Sequence, residues 1–510
     1  MSDVLLGIDI GTYSSKGVIC RVDGSLIAEA RVDHGVSIPR PGYVEHDANG
    51  IWWSDVKLLA LQLVAKMPKG DKIASVGIST IGPCLVPVDR HGNPLRPGIL
   101  YGVDTRASKQ IGDLEDRYGR EALVELNGMR LTSQAIGPKI LWLREEEFET
   151  YQRASLFVTA TSYIIYRLTN RFVIDRHTAS HFDPLFDIRR QDWDFRFGDG
   201  IVDRDRLPDL GWSDEVAGET TLDAADETGI PVGTPVTFGA VDALSEALSV
   251  GVIAPGDLMI MYGSTPFFIF VLDAPIATSE LWLTCGAFEG QYALAAGLAT
   301  SGSATTWFRD QFGRDLKEAE ERSGPNRYAE LAGEAGTSPA GARGLLMMPY
   351  LSGERTPIHD PDARGILAGI TLSHTRADIY RALLEGTAFE MRHNLVSMQR
   401  SGAAVKRAIV IGGGASNRLW LQLVLDIAGV SQTVPERVIG ASLGDAFLAG
   451  LAAGMIHDRG ALLREWVRYS GEVVPNPTFS SKYDSLYSLF RRPYEDTRST
   501  VHELASFQVS

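Results

Sequence analysis

Cysteine is scarce in this 510-residue chain: Cys20, Cys84 and Cys285 are odd in number, far apart and without CxxC spacing. That excludes a disulfide framework and a cysteine zinc site, and it fits a reducing compartment. Positive charge is also short, 49 Lys and Arg against 64 Asp and Glu, for a formal net charge of −15. Such a chain has no electrostatic attraction for nucleic acid or an anionic membrane, so any phosphate site must be local. No apolar run approaches the ~20 residues that span a bilayer, and the amino terminus has no basic region followed by an apolar core. These absences predict a soluble cytoplasmic protein.

What is present is an ordinary globular composition, 44% hydrophobic, long enough for two or three domains. Strand-like runs alternate with helix-like ones, across Ile73–Ser79, Leu85–Val88, Trp142–Phe148 and Tyr163–Leu168, which predicts an α/β architecture. A seam is expected at Ser249–Gly256, where SVGVIAPG precedes a new strand at Asp257–Met261. Each half opens with a β-rich stretch and a turn of hydroxyls and glycine, GTYSS and YGST. After residue 460 the aromatic residues Tyr483, Tyr487, Phe490 and Tyr494 fall near helical spacing and predict a packed terminal helix.

The segment Gly7–Gly17, GIDIGTYSSKG, sits between two apolar strands. It therefore differs from a Walker A loop and from a GxGxxG turn, both of which open a helix. Amides freed by Gly11, hydroxyls of Thr12, Ser14 and Ser15, and the Lys16 cation suit terminal phosphates, and Asp9 suits magnesium held through water. A tight hairpin without a ligand is the competing reading. Ile409–Gly429 reads as strand, glycine turn and helix: a slot for adenine or ribose, or a turn that only packs a helix on a sheet. Asp242 follows a short strand and starts a helical run. It is either an N-cap or a base for a hydroxyl attacking a γ-phosphate, and the two roles are compatible.

Taken together, these segments resemble the FGGY carbohydrate kinases, relatives of xylulokinase and glycerol kinase in the actin, hexokinase and Hsp70 superfamily. The resemblance spans essentially the whole chain. Its most specific part is GILAGITLSHTRADIYRALLE, Gly365–Glu385, supported by GYVEHDANGIWW at Gly42–Trp53, PLRPGILYGVDTRA at Pro94–Ala107 and GGGASNRLW at Gly412–Trp420. It implies ATP- and Mg²⁺-dependent phosphorylation of a sugar or polyol hydroxyl by two ribonuclease H-like lobes with a cleft between them. The expected domains are 1–248 for sugar and the first phosphate loop, 249–460 for the second loop and adenosine, and 461–510 as a helical tail.

By position, the resemblance makes Asp242 the general base and, with Asp9, a metal contact. It places ATP on Gly11, Thr12, Ser14 and Lys16, on Gly263 and Ser264, on Gly302, and on Gly413, Gly414, Ala415 and Asn417. Phe267 falls where substrate carbons are packed. Departures gather in the sugar pocket. Ile81, Gly82, Pro83 and Cys84 stand where xylulokinases read QMHG, and Gln134 replaces an aromatic or small residue. Asp104 and Gln134 are the polar substrate contacts expected to compensate, with a structural Asp104–Arg106 pair as the alternative. Asp175, His177 and His181 lie nearby in sequence, and the two histidines are read as ordinary packing or surface. The expected acceptor is a ketopentose such as xylulose; a tetrulose, polyol or deoxysugar, and an idle ATP-binding member, are the alternatives. A homodimer is admitted.

Overall fold

The computed structural model describes residues 2–508 and divides them into two compact units. The first comprises the chain up to Pro255 together with Val271–Ala293 and Arg437–Arg468; the second comprises Gly256–Phe270, Leu294–Glu436 and the chain from Tyr469 onward.

The first unit is built on β1 (Asp3–Ile10), β2 (Ser14–Cys20), β3 (Leu26–Asp33), β4 (Lys72–Thr80), β5 (Val216–Glu219), β6 (Pro235–Thr237) and β7 (Ala240–Val241). The strand order is β5-β6-β4-β1-β2-β3, and β7 pairs in parallel with the end of β4. β1 and β2 form an antiparallel hairpin with Asp9 opposite Lys16, while β4 runs parallel to β1 with Ser79 beside Asp9. Period-two alternation separates the faces of β1. Val4, Leu6, Ile8 and Ile10 join a core with Trp52, Leu59 and Leu63. The other face meets the helix Ala441–Ala452, so β1 is buried on both sides and reads as a nearly continuous apolar run.

Two glycines make that second contact feasible. A Cβ at Gly7 would stand 1.9 Å from the Ser442 carbonyl oxygen, and one at Gly77 would stand 2.0 Å from that of Asp445. Helix backbone and strand backbone touch directly there, which only glycine permits.

The second unit repeats the pattern. β8 (Asp257–Met261) and β9 (Phe267–Leu272) form an antiparallel hairpin, and β10 (Arg407–Ile411) runs parallel to β8. β11 (Gln432–Pro435) and β12 (Tyr469–Val473) continue this path. The long helix Arg376–Arg400 begins with a capping box between Thr375 and Asp378. Glu385, on the same helix, is buried and accepts from Tyr483 Oη at 2.9 Å and from Arg381 Nε at 2.8 Å. Asp378 and Glu385 of the Gly365–Glu385 motif are thus tied up in capping and packing.

The α/β expectation is met. Ile73–Ser79 and most of Leu85–Val88 are strand, whereas Trp142–Phe148 and Tyr163–Leu168 fall in helical segments. The stretch after 460 differs from a single terminal helix: a short π-helical turn Leu462–Trp466 comes first, then β12, followed by helices Ser480–Phe490 and Arg492–Ser506. Tyr483 and Phe490 pack on Phe389, as their spacing suggested. Among the described residues no helix is long and apolar enough to cross a membrane.

Candidate active site

In the first unit the β1–β2 turn is a tight hairpin in which Gly11 N donates to Ser14 O at 3.1 Å. Thr12 Oγ1 and Tyr101 Oη are 3.2 Å apart. Gly11, Thr12, Ser14 and Lys16 all keep accessible surface. Ser15 does not belong with them: strand alternation turns it inward, where its hydroxyl donates to Asp55 Oδ2 at 2.6 Å. Its expected part in phosphate binding is corrected accordingly.

β7 leads straight into the helix Asp242–Ser249. The cap position is Val241, without a side-chain bond, and Asp242 is the first helical residue. The N-cap reading therefore fails by one position, although Asp242 Oδ1 still accepts the Ala243 amide at 2.7 Å. The Gly82 amide lies close enough to favour the ionised form of this carboxylate. Gly82 packs tightly against β7, since an added Cβ would lie 2.3 Å from Val241 Cγ1. Ile81 and Pro83 are buried, and Gly82 keeps part of its surface exposed.

Two further carboxylates join this corner, Glu246 one turn along the same helix and Asp445 from the helix Ala441–Ala452. Neither was singled out from the sequence. The signal for Asp445 is a lone acid in a run of small and apolar residues, ASLGDAFLAG. Ser79 Oγ donates to Asp445 Oδ2 at 2.8 Å and Ser245 Oγ to Oδ1 at 2.6 Å. Ser79 also reaches Asp9 Oδ1 at 3.3 Å.

Burial pushes the Asp9 carboxyl well above its usual range, and the charges of Asp242, Asp445 and Glu246 add to this while Lys16 opposes it. Asp242 retains some accessible surface, but the protein packed around its carboxylate lifts it to about 7. The Glu246 charge contributes to that rise, and the amides of Ala243 and Gly82 oppose it. Asp445 is raised well above the carboxylate range by burial, against its two serine donors. Four acids facing one lysine form a site short of positive charge. Among the described residues no three acidic, histidine or cysteine side chains converge closely enough to ligate an ion by themselves. That arrangement suits a cation held through water and phosphate oxygens better than a fully dehydrated one.

Asp104 is found in the structural alternative. It is buried, it accepts the Val44 amide at 2.7 Å, and Arg106 grips it through Nε and Nη2. Arg106 also bonds Glu45 at 2.8 Å. With the carboxylate committed to these donors and its side chain fully enclosed, direct substrate contact by Asp104 gives way to a bracing role. Gln134 is buried and accepts the Gly102 amide through Oε1 at 3.2 Å. His177 and His181 are buried, and His177 Nδ1 pairs with the Cys285 carbonyl at 2.7 Å, so packing describes them better than surface exposure. Asp175 caps the short helix that carries His177.

In the second unit, three separated segments meet at the ends of β8 and β10. Ser264 O accepts the amides of Ser301 and Ser303, each at 3.1 Å, and Gly263 O accepts the Gly302 amide at 3.2 Å. A Cβ at Gly302 would press to 2.6 Å from Gly263 O. The Gly414 amide donates to Tyr262 O at 3.0 Å, which ties the glycine turn to the YGST turn. Gly413, Gly414 and Ala415 form a 3₁₀ turn, and Asn417 caps the next helix by accepting from Trp420 N at 3.1 Å. Phe267 opens β9, half-buried.

Two family models cover most of the chain: "FGGY family of carbohydrate kinases, N-terminal domain" matches residues 4–249, and the C-terminal domain of the same family matches 258–453. A xylulose kinase of Staphylococcus epidermidis is 30% identical over 508 residues, covering 99% of each chain. A gluconokinase of Bacillus subtilis is 26% identical over 513 residues, covering 100% of this chain and 99% of its own. The crystal structure of xylulose kinase from Rhodospirillum rubrum superposes with a TM-score of 0.91 at 27% identity, covering 98% of this chain and 100% of that one.

Proposed function

Because this chain belongs to the FGGY family of carbohydrate kinases, and so is a phosphotransferase with an alcohol group as acceptor, we propose that it phosphorylates a ketopentose such as xylulose. Sugar kinases of this family use ATP, and the chain has their α/β, two-lobed, actin-like ATPase fold. The cytoplasm is the proposed compartment.

The observation that carries the mechanism is Asp242: a partly accessible carboxylate, anchored by the Ala243 amide and lifted to about 7. At that value it is ionised often enough to accept the proton of a sugar hydroxyl, and basic enough to hold it. The substrate oxygen then attacks the γ-phosphorus, a new O–P bond forms, and the bond to ADP breaks. The turn Gly11–Lys16 holds terminal phosphates, Lys16 supplying charge. In the second unit Gly263, Ser264 and Gly302 take phosphate, while Gly413, Gly414, Ala415 and Asn417 take adenosine. Magnesium, held through water by Asp9 with Asp242, would neutralise phosphate charge as transfer proceeds. The surplus of acid over lysine at this corner fits such an ion.

On the sugar side, Gly82 and Gln134 are the positioned polar groups, Phe267 packs on substrate carbons, and Ile81 with Pro83 shapes an apolar wall. That wall favours a second reading, a tetrulose, polyol or deoxysugar, because it offers fewer partners to hydroxyls.

The test is ADP release from magnesium ATP against ketoses, aldoses, sugar acids, tetruloses and polyols, with wild type beside Asp242→Asn. One strongly preferred sugar, with turnover reduced about 10³-fold or more in the variant, supports the reading. Near-normal turnover in Asp242→Asn removes Asp242 as the base.

A further inference from the structure

His34 follows β3 and lies under the Gly11–Lys16 turn, to which its main-chain amide is tied by a 3.0 Å bond to Tyr13 O. Its ring is nearly enclosed, with 7% of the side chain exposed. Nδ1 is 2.7 Å from Asp55 Oδ2, and Nε2 is 3.1 Å from the Gly11 carbonyl oxygen. A carboxylate and a carbonyl are both acceptors. A neutral imidazole carries one N–H and can satisfy only one of them; the doubly protonated ring satisfies both.

From this we infer that His34 is held as an imidazolium which fixes the Gly11–Thr12 peptide in its phosphate-binding orientation, making it a positioning residue whose loss of charge weakens ATP binding. The inference rests on reading Gly11–Lys16 as a phosphate loop. The peptide is trans, so a Gly11 carbonyl drawn toward His34 aims the Thr12 N–H the opposite way. Without the second ring N–H, the peptide loses the bond that sets its direction.

The surroundings decide which ring takes the charge. His46 stands edge-on at 5.2 Å from His34. Its Nδ1 accepts the Trp52 indole N–H at 3.1 Å, so that nitrogen carries no proton. Burial, together with the His34 charge, pushes His46 down to about 4. Burial opposes charge on His34 as well, but the hydrogen bond and charge of Asp55, with the carbonyls of Gly11 and Thr12, outweigh it and hold the ring above the usual histidine range. Asp55 comes from the helix Ser54–Lys66 and also accepts the Ser15 hydroxyl from β2. The chain Ser15–Asp55–His34–Gly11 thus links a helix to the turn.

The experiment uses the full-length protein. Nitrogen-detected NMR of labelled histidine reads whether both His34 nitrogens are protonated, and calorimetry reads the Kd of magnesium ATP from about pH 6 to about pH 9. The expected result is a doubly protonated His34 that titrates above ordinary histidine, with Asp55→Asn moving that titration down. His34→Gln should bind ATP on the order of tenfold more weakly than wild type at low pH, with the ratio of the two Kd values falling toward one as wild-type His34 deprotonates. A singly protonated His34 at pH 6, or equal ATP affinity of His34→Gln and wild type at every pH, overturns the inference. Lys16→Ala separates the two claims: if it leaves ATP affinity unchanged, the turn is not a phosphate loop, whatever the NMR shows about His34.

Discussion

Ser245 Oγ donates to Asp445 Oδ1 at 2.6 Å across 200 residues of sequence. Through this bond and the Ser79 bond at 2.8 Å, the helix that begins with Asp242 is tied to β4 by a single carboxyl group. Local sequence gives no hint of the arrangement, and it positions the acidic corner around Asp242.

Removing that carboxyl should therefore cost stability. Asp445→Ala leaves the buried Ser245 hydroxyl without its acceptor and Ser79 with only the 3.3 Å contact to Asp9, and is expected to destabilise by about 2 kcal/mol. Asp445→Asn keeps the volume and one oxygen acceptor, and burial already disfavours the charge, so it should stay within about 1 kcal/mol of wild type. Urea unfolding of the two variants provides the comparison, and a larger loss for Asn than for Ala would contradict this account.

The glycine contacts predict a steeper penalty. Gly77→Ala would put a methyl 2.0 Å from the Asp445 carbonyl oxygen, with backbone on both sides and no flexible group to yield. A loss of about 3 kcal/mol or more is expected, with a lower melting temperature, because the helix must lift from the sheet. Gly413→Ala, where an added Cβ meets nothing within 4 Å, is the control.

The pH dependence follows from the proposed role of Asp242 as base, its carboxyl being lifted to about 7. Only its ionised form accepts a proton, so activity is lost as pH falls through that value. In the free enzyme kcat/KM should rise about tenfold per pH unit on the acid side and level off above about pH 7. A profile flat down to about pH 5 would show that no base with this titration limits the reaction.

Arg106 should matter for folding more than for chemistry. Its side chain is fully enclosed between Asp104 and Glu45. Arg106→Ala leaves the enclosed Asp104 without its cation, while Glu45 keeps Arg96, and should cost about 3–5 kcal/mol. Lysine should not restore it, since the paired Nε and Nη2 contacts need a guanidinium. Thermal melts measure this, and the KM for ATP is expected to stay near wild type in whatever fraction folds.

Much of the fold is legible locally. The apolar runs at Val4–Ile10 and Asp257–Met261, each followed by a turn of hydroxyls and glycine, mark the two hairpins, because strand burial and turn chemistry act over a few residues. Ser15 was misread for a reason of equal scale: beside Ser14 it looks equivalent, but adjacent strand residues face opposite ways. For Asp104, both readings survived in the sequence, and the decision depended on where Glu45 and Val44 come to lie.

By itself, then, the sequence determined the α/β class, the hairpin turns, the strand-to-helix placement of Asp242 and the resemblance to FGGY kinases, since each rests on neighbouring residues or on a motif. Only the tertiary structure decided that Asp445 and Glu246 share a corner with Asp9 and Asp242, that Asp104 is spent on Arg106, and that His34 reaches the Gly11 carbonyl. Those relationships depend on loop closures and close backbone contacts between distant segments, such as Gly7 and Gly77 against the helix Ala441–Ala452, and no periodicity along the chain encodes them.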